Sequence, residues 1–319
     1  MSAYAIQFDK PTRDLDAVGI QLRCPQCGAA IDGVRCSHCS FALEERNGVL
    51  RALPPERVAH YARFIADYER IRAAEGRSAA TDDFYLALPY RDLTGNNSKQ
   101  WLIRARSFDH MLRRILRPSL KENARVLDLG AGNGWMSFRL ALAGFLPFAV
   151  DLLTNTHDGL GAAEHYRGAL PNMFPRFQAE MMHLPFADRQ FDAVIFNASF
   201  HYVEDAEAAV REALRCVRPS GLVVICDTPW YAREASGRQM IEERRAAFLK
   251  TYGTASDSIK SVEFLTTERL RMLERSLSVR WTTHTPSYGF KWALRPLIAK
   301  LRRKREPSRF RIYVTRKSA

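Results

Sequence analysis

Four cysteines, Cys24, Cys27, Cys36 and Cys39, fall within sixteen residues as two Cys-x-x-Cys pairs. Each pair is a tight turn presenting two thiolates, and two such turns can close a tetrahedral shell around one ion, with Zn²⁺ the expected occupant. An iron site and a metal-free relic are the competing readings of the same spacing. Four thiolates leave no open coordination position, so the expected role is structural or partner-binding and not catalytic. The module that carries them, residues 21–53, is too short to bury much surface, and a bound ion would supply its folding free energy. Eight residues separate the two pairs, Gly28 and Gly33 among them, which suits a short hairpin. Cys216 and Cys226 stand apart in apolar runs and read as core residues. This usage fits a reducing compartment better than a disulfide framework.

A second constellation lies in the middle of the chain. Residues 125–134 read Arg-Val-Leu-Asp-Leu-Gly-Ala-Gly-Asn-Gly, an apolar strand pattern running into an Asp128-x-Gly130-x-Gly132-x-Gly134 turn and then a helix pattern. Such a turn lets the backbone pass close to a ligand at the carboxyl end of a strand, but many nucleotide-binding folds use one. Asp151 follows 23 residues after Asp128, at the end of Phe148-Ala-Val-Asp151. A carboxylate there is placed to accept hydrogen bonds from two ribose hydroxyls, as a dehydrogenase would also arrange. Next come Ala179-Glu180-Met-Met-His-Leu184-Pro185-Phe186 and Phe191-Asp192-Ala-Val-Ile-Phe-Asn197. Asn197-Ala-Ser-Phe-His201-Tyr202 and Leu214-Arg-Cys-Val-Arg-Pro219-Ser-Gly221-Leu-Val-Val-Ile225 complete the series.

That succession resembles class I S-adenosylmethionine-dependent methyltransferases, most of all the enzymes acting on quinone precursors, sterols and secondary metabolites. The likeness covers about residues 123–228 and is looser to the end. It implies an α/β fold, a seven-stranded Rossmann-like sheet with helices on both faces, and S-adenosylmethionine as the cofactor. By the same resemblance Asp128, Gly130, Ala131, Gly132 and Gly134 line the methionine end, Asp151 and Leu152 the ribose, and Glu180 with Met181 the adenine. Glu180 stands where most relatives carry Asp. Asn197 and His201 occupy the loop where this family gathers substrate-side residues, Asn197 as a hydrogen-bond partner that also counts among the cofactor-binding residues and His201 as a candidate base. The competing reading makes the acids caps of turns and helices and His201 a structural residue. Methyl transfer is an in-line displacement that needs alignment and exclusion of water, and a base only where the nucleophile must lose a proton.

These side chains require elements to hold them. Strand patterns fall near 125–129, 146–151, 175–178, 192–197 and 221–227, and helix patterns near 134–143, 156–169 and 205–217. Their alternation implies a parallel sheet flanked by helices. Later strand patterns at 277–285 and 309–316 fit an antiparallel pair closing one edge. Ahead of the glycine turn, Val58, Tyr61, Ile65, Tyr68 and Ile71 recur at helical spacing within 54–76. A second helix runs from Ser98 to Leu116 with Trp101, Ile103, Phe108, Met111 and Leu112, and Pro118 is expected to stop it. Between them lies Phe84-Tyr-Leu-Ala-Leu-Pro-Tyr90. This aromatic-rich stretch, 84–112, is either core or an acceptor pocket over the active site. The expected units are a zinc ribbon at 21–53, a helical cap at 54–120, and a methyltransferase domain at 121–319 with a basic insertion at about 290–308.

Composition narrows the classes further. The chain has 319 residues with 46% apolar side chains, enough for a large domain and an accessory unit. It holds no run of 18 apolar residues, so a transmembrane span is not expected. Asp9, Asp14 and Asp16 break the apolar core that a signal peptide needs, and a cytoplasmic protein is the expectation. The net charge of +13 is concentrated in 291–317, where eleven Lys or Arg face the single acid Glu306. That segment could meet RNA phosphates, an anionic membrane surface, or only water. Three functions compete on these grounds. The first is methylation of a small organic acceptor. The second is an RNA base methyltransferase, since a cysteine-rich zinc module joined to such a domain resembles ribosomal-RNA guanine methyltransferases, although those usually carry a Cys/His set. The third is a non-catalytic S-adenosylmethionine-binding scaffold.

Overall fold

A computed structural model describes residues 19–31 and 33–318; the reading of Asp9, Asp14 and Asp16 lies outside them. The cysteine module opens with β1 (Leu22–Arg23) and β2 (Ala30–Ile31), which pair antiparallel. The hairpin therefore wraps the first Cys-x-x-Cys turn and does not occupy the gap between the two pairs, as the glycines had implied. The reason is local: Cys24 N donates to the Ala29 carbonyl and Gly28 N to that of Cys24, so the thiol turn itself reverses the chain. Next, β3 (Glu44–Arg46) and β4 (Val49–Arg51) form a second antiparallel hairpin.

The cap follows as α1 (Pro55–Ala74), α2 (Asp82–Ala87) and α3 (Ser98–Met111). Pro118 does not stop α3. A π-helical turn, Leu112–Leu116, widens the helix, a final turn covers Arg117–Ser119, and the chain becomes extended only at Leu120. A widened turn tolerates the missing proline N–H that a regular α-helix would not.

From Arg125 the strand and helix signals alternate as expected: β5 (Arg125–Leu129), α4 (Trp135–Leu142), β6 (Leu146–Asp151), β7 (Arg176–Gln178), β8 (Phe191–Asn197), α5 (Ala206–Cys216) and β9 (Val217–Cys226). The helix expected at 156–169 is a 3₁₀ helix over Leu160–Ala169. Its start is delayed because the Asn155 side-chain oxygen accepts from the amides of His157, Asp158 and Gly159, holding those residues in a turn. Two helices were not anticipated, α6 (Glu234–Tyr252) and α7 (Thr267–Leu277), although Leu270, Leu273 and Leu277 give α7 an apolar stripe. In α6 only Ser236 and Gly237 are buried, so no apolar stripe marks it. The chain ends with β10 (Thr282–His284), α8 (Phe290–Ala293), α9 (Arg295–Leu301) and β11 (Ile312–Arg316).

Strand order in the main sheet is β10-β11-β9-β8-β5-β6-β7-β4-β3. The run from β10 to β7 is the expected seven-stranded arrangement, with β5, β6, β7, β8 and β9 parallel, β11 reversed against β9, and β10 antiparallel to β11 at the edge. The sheet nevertheless has nine strands. At the other edge β4 pairs parallel with β7, Leu50 opposite Phe177 and Arg51 opposite Gln178, and β3 continues the sheet. Val49 and Leu50 are fully buried there and cover the β7 edge, which would otherwise expose unpaired backbone groups. Residues 44–51 of the cysteine module are thus strands of the main sheet. Alternation along each strand sends Leu127, Leu129, Phe148 and Phe196 to the face covered by α5, α7 and the ribbon residues Leu22 and Leu43. Val126, Ala149 and Ile195 face α3 and α4.

Candidate functional site

A cavity opens at the carboxyl ends of β5, β6 and β8, where the strand order reverses direction between β5 and β8. Of the residues singled out in the sequence, Asp128, Gly130, Ala131, Gly132, Asp151, Leu152, Glu180, Met181 and Asn197 line it. Gly134 and His201 do not. Gly134 caps the amino end of α4 with φ 77°, where a Cβ would press on Phe174 and Ala163. At Gly130 (φ +74°) a Cβ would collide with Ser199 Cβ, so the turn can approach the β8 loop only without a side chain.

Burial dominates the electrostatics. The Asp128 carboxyl is pushed up to about 7 by burial, against a hydrogen bond from Ser137 Oγ at 2.8 Å, and its Oδ1 is buried with no partner. Asp151 is pushed up to about 6 by burial although Leu153 N (2.8 Å) and Gly132 N (2.7 Å) donate to its two oxygens. Backbone donors hold that carboxylate at the strand tip and leave lone pairs toward the cavity.

Glu180 differs. Arg57 Nε and Nη2 donate to its two oxygens at 2.8 and 2.7 Å, Tyr61 Oη donates at 2.9 Å, and His183 Nδ1 lies at 2.9 Å. Burial would raise its pKa, but these partners outweigh burial and hold it down at about 2. A carboxylate has about four acceptor positions, and here all four are filled.

The cavity roof comes from α1, whose Tyr61, Phe64, Tyr68 and Arg72 face the glycine turn. Arg72 Nη2 donates to Asp158 Oδ1 at 3.1 Å and its Nε to Oδ2, a second tie between roof and sheet. The α3 wall supplies Trp101 and Arg104. The expectation that 84–112 forms the pocket thus holds for two residues only. Phe84 and Tyr85 are buried in the core, and Tyr85 Oη is spent on the His157 carbonyl at 2.7 Å. Arg104 has no acid at ion-pair distance among the described residues; it stacks on Trp101 at 4.7 Å, and burial together with Arg72 and Arg77 lowers its pKa to about 10. In the sequence Tyr61 and Tyr68 stand out only as part of a helix stripe, and Phe64 and Arg72 not at all. That they face the cavity depends on where the helix packs.

Asn197 ends β8 beside the cavity. His201 stands behind cavity-lining Tyr202, ring centroids 4.2 Å apart, with Nδ1 buried and without a partner. Burial, then Arg244 and Arg104, push its pKa down to about 3. Away from this cavity, the four thiols converge: Cys24 Sγ lies 3.5 Å from Cys39 Sγ, Cys27 Sγ 3.5 Å from Cys36 Sγ, and all four fall within 4.8 Å of one another. Sulfurs bound tetrahedrally at a zinc–sulfur distance of about 2.3 Å sit about 3.8 Å apart, so the donor set fits that ion. Cys216 and Cys226 are buried in the core. No helix among the described residues is long and apolar enough to cross a membrane.

Residues 127–225 match the family described as a methyltransferase domain, from β5 to β9. Over 121 residues the chain is 35% identical to the demethylmenaquinone methyltransferase of Mycobacterium marinum, covering 37% of this chain and 48% of that protein. The enzyme of the same name from Corynebacterium efficiens is 32% identical over 111 residues, 35% of this chain and 44% of its own. The chain spans about half the length of the curated relatives it matches. Among solved structures, the YcgJ protein of Bacillus subtilis covers 67% of this chain and 99% of its own at 16% identity and a TM-score of 0.46. The resemblance carried by the glycine turn, the strand acids and the Leu-Pro-Phe segment is therefore met by a methyltransferase domain at the same residues.

Proposed function

We propose that the chain, with its methyltransferase domain at 127–225, transfers a methyl group from S-adenosylmethionine to a small organic acceptor of quinone-precursor, lipid or secondary-metabolite type. The observation that carries this is the cavity at the strand-order reversal, where nine of the residues assigned to the cofactor come together. When bound, S-adenosylmethionine supplies a methyl group on a sulfonium, already a good leaving group. Asp128, with its unpartnered Oδ1, and the backbone of Gly130, Ala131 and Gly132 hold the methionine end, while Gly134 shapes the turn from behind. Asp151 and Leu152 hold the ribose. Glu180 and Met181 hold the adenine side, with Glu180 aimed by Arg57 and Tyr61; His183, the partner most open to water, is the one that yields.

The chain's own work is alignment and dryness. Tyr61, Phe64, Tyr68, Trp101 and Tyr202 wall the cavity with rings, which exclude water and position a flat apolar acceptor. Asn197 offers a hydrogen bond to it. His201, the candidate base, lies behind Tyr202, outside the cavity lining, and burial lowers its pKa to about 3. An acceptor that must lose a proton would have to ionise without it. Cys24, Cys27, Cys36 and Cys39 hold one Zn²⁺ in a closed shell that stiffens the edge hairpin and takes no part in the transfer.

The names of the curated relatives support the quinone-type acceptor. An RNA acceptor has less behind it, because several of the basic residues counted for it serve the fold: Arg305 pairs with Glu243, Arg311 lies on Trp230, and Lys317 donates to the Val217 carbonyl. Tritiated-methyl transfer into a lysate split into RNA, protein and organic-extractable pools tests the reading. Label in the organic pool is expected; label confined to RNA overturns it.

A further inference from the structure

The segment between β10 and β11 is unlike the rest of the surface. None of the residues of α8 or α9 is buried. Among the described residues, the two most exposed large apolar side chains are Phe290 (78%) and Leu301 (76%), with Leu297 (55%) and Ile298 (41%) between them. Their spacing, seven, one and three residues apart, gathers them on one side of a helical path. Scattered exposed leucines are ordinary; four large apolar groups within twelve residues make a patch that calls for a cover.

Charge says what that cover is. Lys291, Lys300, Arg302, Arg303 and Lys304 are exposed around the patch and make no ion pair among the described residues. RNA also meets basic residues, but solvated aliphatic side chains give nothing to phosphate or stacked bases. Apolar residues inside a ring of Lys and Arg match the boundary between acyl chains and anionic headgroups.

Topology places the patch at the working end of the molecule. Tyr313 of β11 lies opposite Ile225 of β9, and His284 of β10 opposite Ile312, so the chain leaves and re-enters the sheet at the carboxyl ends of the parallel strands. The cavity is at that same end. The root of the excursion is fastened there: Tyr288 Oη lies 2.8 Å from Ser107 Oγ, which donates to Asp227 just past β9. Ser107 sits one helical turn beyond cavity-lining Arg104 on α3.

We infer that residues 290–304 are a docking element for an anionic lipid surface, bringing the cavity end of the sheet to the bilayer where a lipid-borne acceptor resides. The docking stands on the surface alone; only the nature of the acceptor rests on the proposed methyl transfer.

The test is co-sedimentation of the full chain, purified with its metal, with vesicles of phosphatidylcholine and of phosphatidylcholine mixed with phosphatidylglycerol. Binding is expected to the anionic vesicles only, weakening about tenfold as salt rises from low to high. Leu297→Glu with Leu301→Glu removes the binding, and Lys291→Gln with Lys300→Gln and Lys304→Gln weakens it. All five sites are exposed, so both variants keep wild-type calorimetric affinity for S-adenosylhomocysteine. Wild-type chain that stays in the supernatant, a Leu297/Leu301 variant that sediments unchanged, transfer RNA that displaces the vesicles, or a dimer that only the Leu variant dissolves overturns the inference. None of these readouts involves methyl transfer, so failure here leaves the enzymatic reading standing.

Discussion

Arg57 of the cap helix grips Glu180 at the end of the third parallel strand with two parallel hydrogen bonds, 2.8 and 2.7 Å long. The Glu180 side chain is 2% exposed, so one guanidinium fastens the cavity roof to the acid assigned to the adenine. Replacing Arg57 by Ala leaves a buried carboxylate with Tyr61 and His183 alone. The expected loss is about 2–4 kcal/mol, near the lower end for stripping one partner from a buried pair. Urea denaturation of Arg57→Ala and Arg57→Lys measures it, with Lys recovering only part because it lacks the fork.

The same contact sets an acid limit. The folded pKa of Glu180, about 2, lies below the unfolded value near 4.5. Its contribution is therefore fully present above the unfolded value and is lost as pH falls toward about 2. The stability gap between wild type and Arg57→Ala should be widest near neutrality and close on acidification. A gap that is constant from pH 7 to pH 3 would show that Arg57 acts by packing and not through the carboxylate.

Asp128 runs the other way. Its folded pKa, raised to about 7, lies above the unfolded value, so the ligand-free fold binds a proton more tightly than the unfolded chain. The contribution of Asp128 to stability is complete below about pH 4 and erodes by up to roughly 1.4 kcal/mol per pH unit up to about 7. Asp128→Asn, which retains an acceptor for Ser137, should melt like wild type at pH 4 and several degrees higher at pH 8. It should also bind S-adenosylmethionine more weakly, a stability gain coupled to a functional loss.

Asp151 is the cleaner probe of cofactor assignment. Asp151→Ala removes the strand-tip carboxylate that Gly132 and Leu153 orient. Loss of charge-assisted hydrogen bonds to ribose predicts about ten- to a hundredfold weaker binding. Titration calorimetry decides it, and an unchanged Kd removes Asp151 from the ribose.

Removal of the metal should be felt in the sheet and not in the chemistry. Because β4 pairs with β7, a loosened ribbon strips a neighbour from the strand that leads to Glu180. Elemental analysis should find one zinc per chain. Cys36→Ser should lower the melting temperature by roughly 5 °C or more, as a few kcal/mol of metal-linked folding energy is lost. A variant that loses zinc yet melts as wild type would make the ribbon an independent appendage.

The strand–helix alternation from Arg125 to Cys226 was legible because apolar runs and glycine turns are local signals, and the edge pair β10–β11 was legible for the same reason. Helix α6 was not, since an exposed helix needs no apolar stripe. Asp128 and Asp151 stood out through their spacing and Glu180 through the family resemblance, whereas Tyr68 entered only as one position of a helix stripe and Arg57, Arg72 and Arg104 carried no signal.

What the sequence determined by itself is chemistry whose spacing is short: four thiols in two tight turns, and carboxylates at strand ends a fixed distance past a glycine turn. Tertiary structure decided what crosses long separations. It laid the cap helix over the cavity and filled the Glu180 carboxylate from residues 57 and 61. It also joined the cysteine module's hairpin to the sheet and set the basic segment at the cavity end. Spacing along the chain fixes geometry only within a turn or one strand-to-strand step; beyond that, packing of buried faces chooses which residues meet.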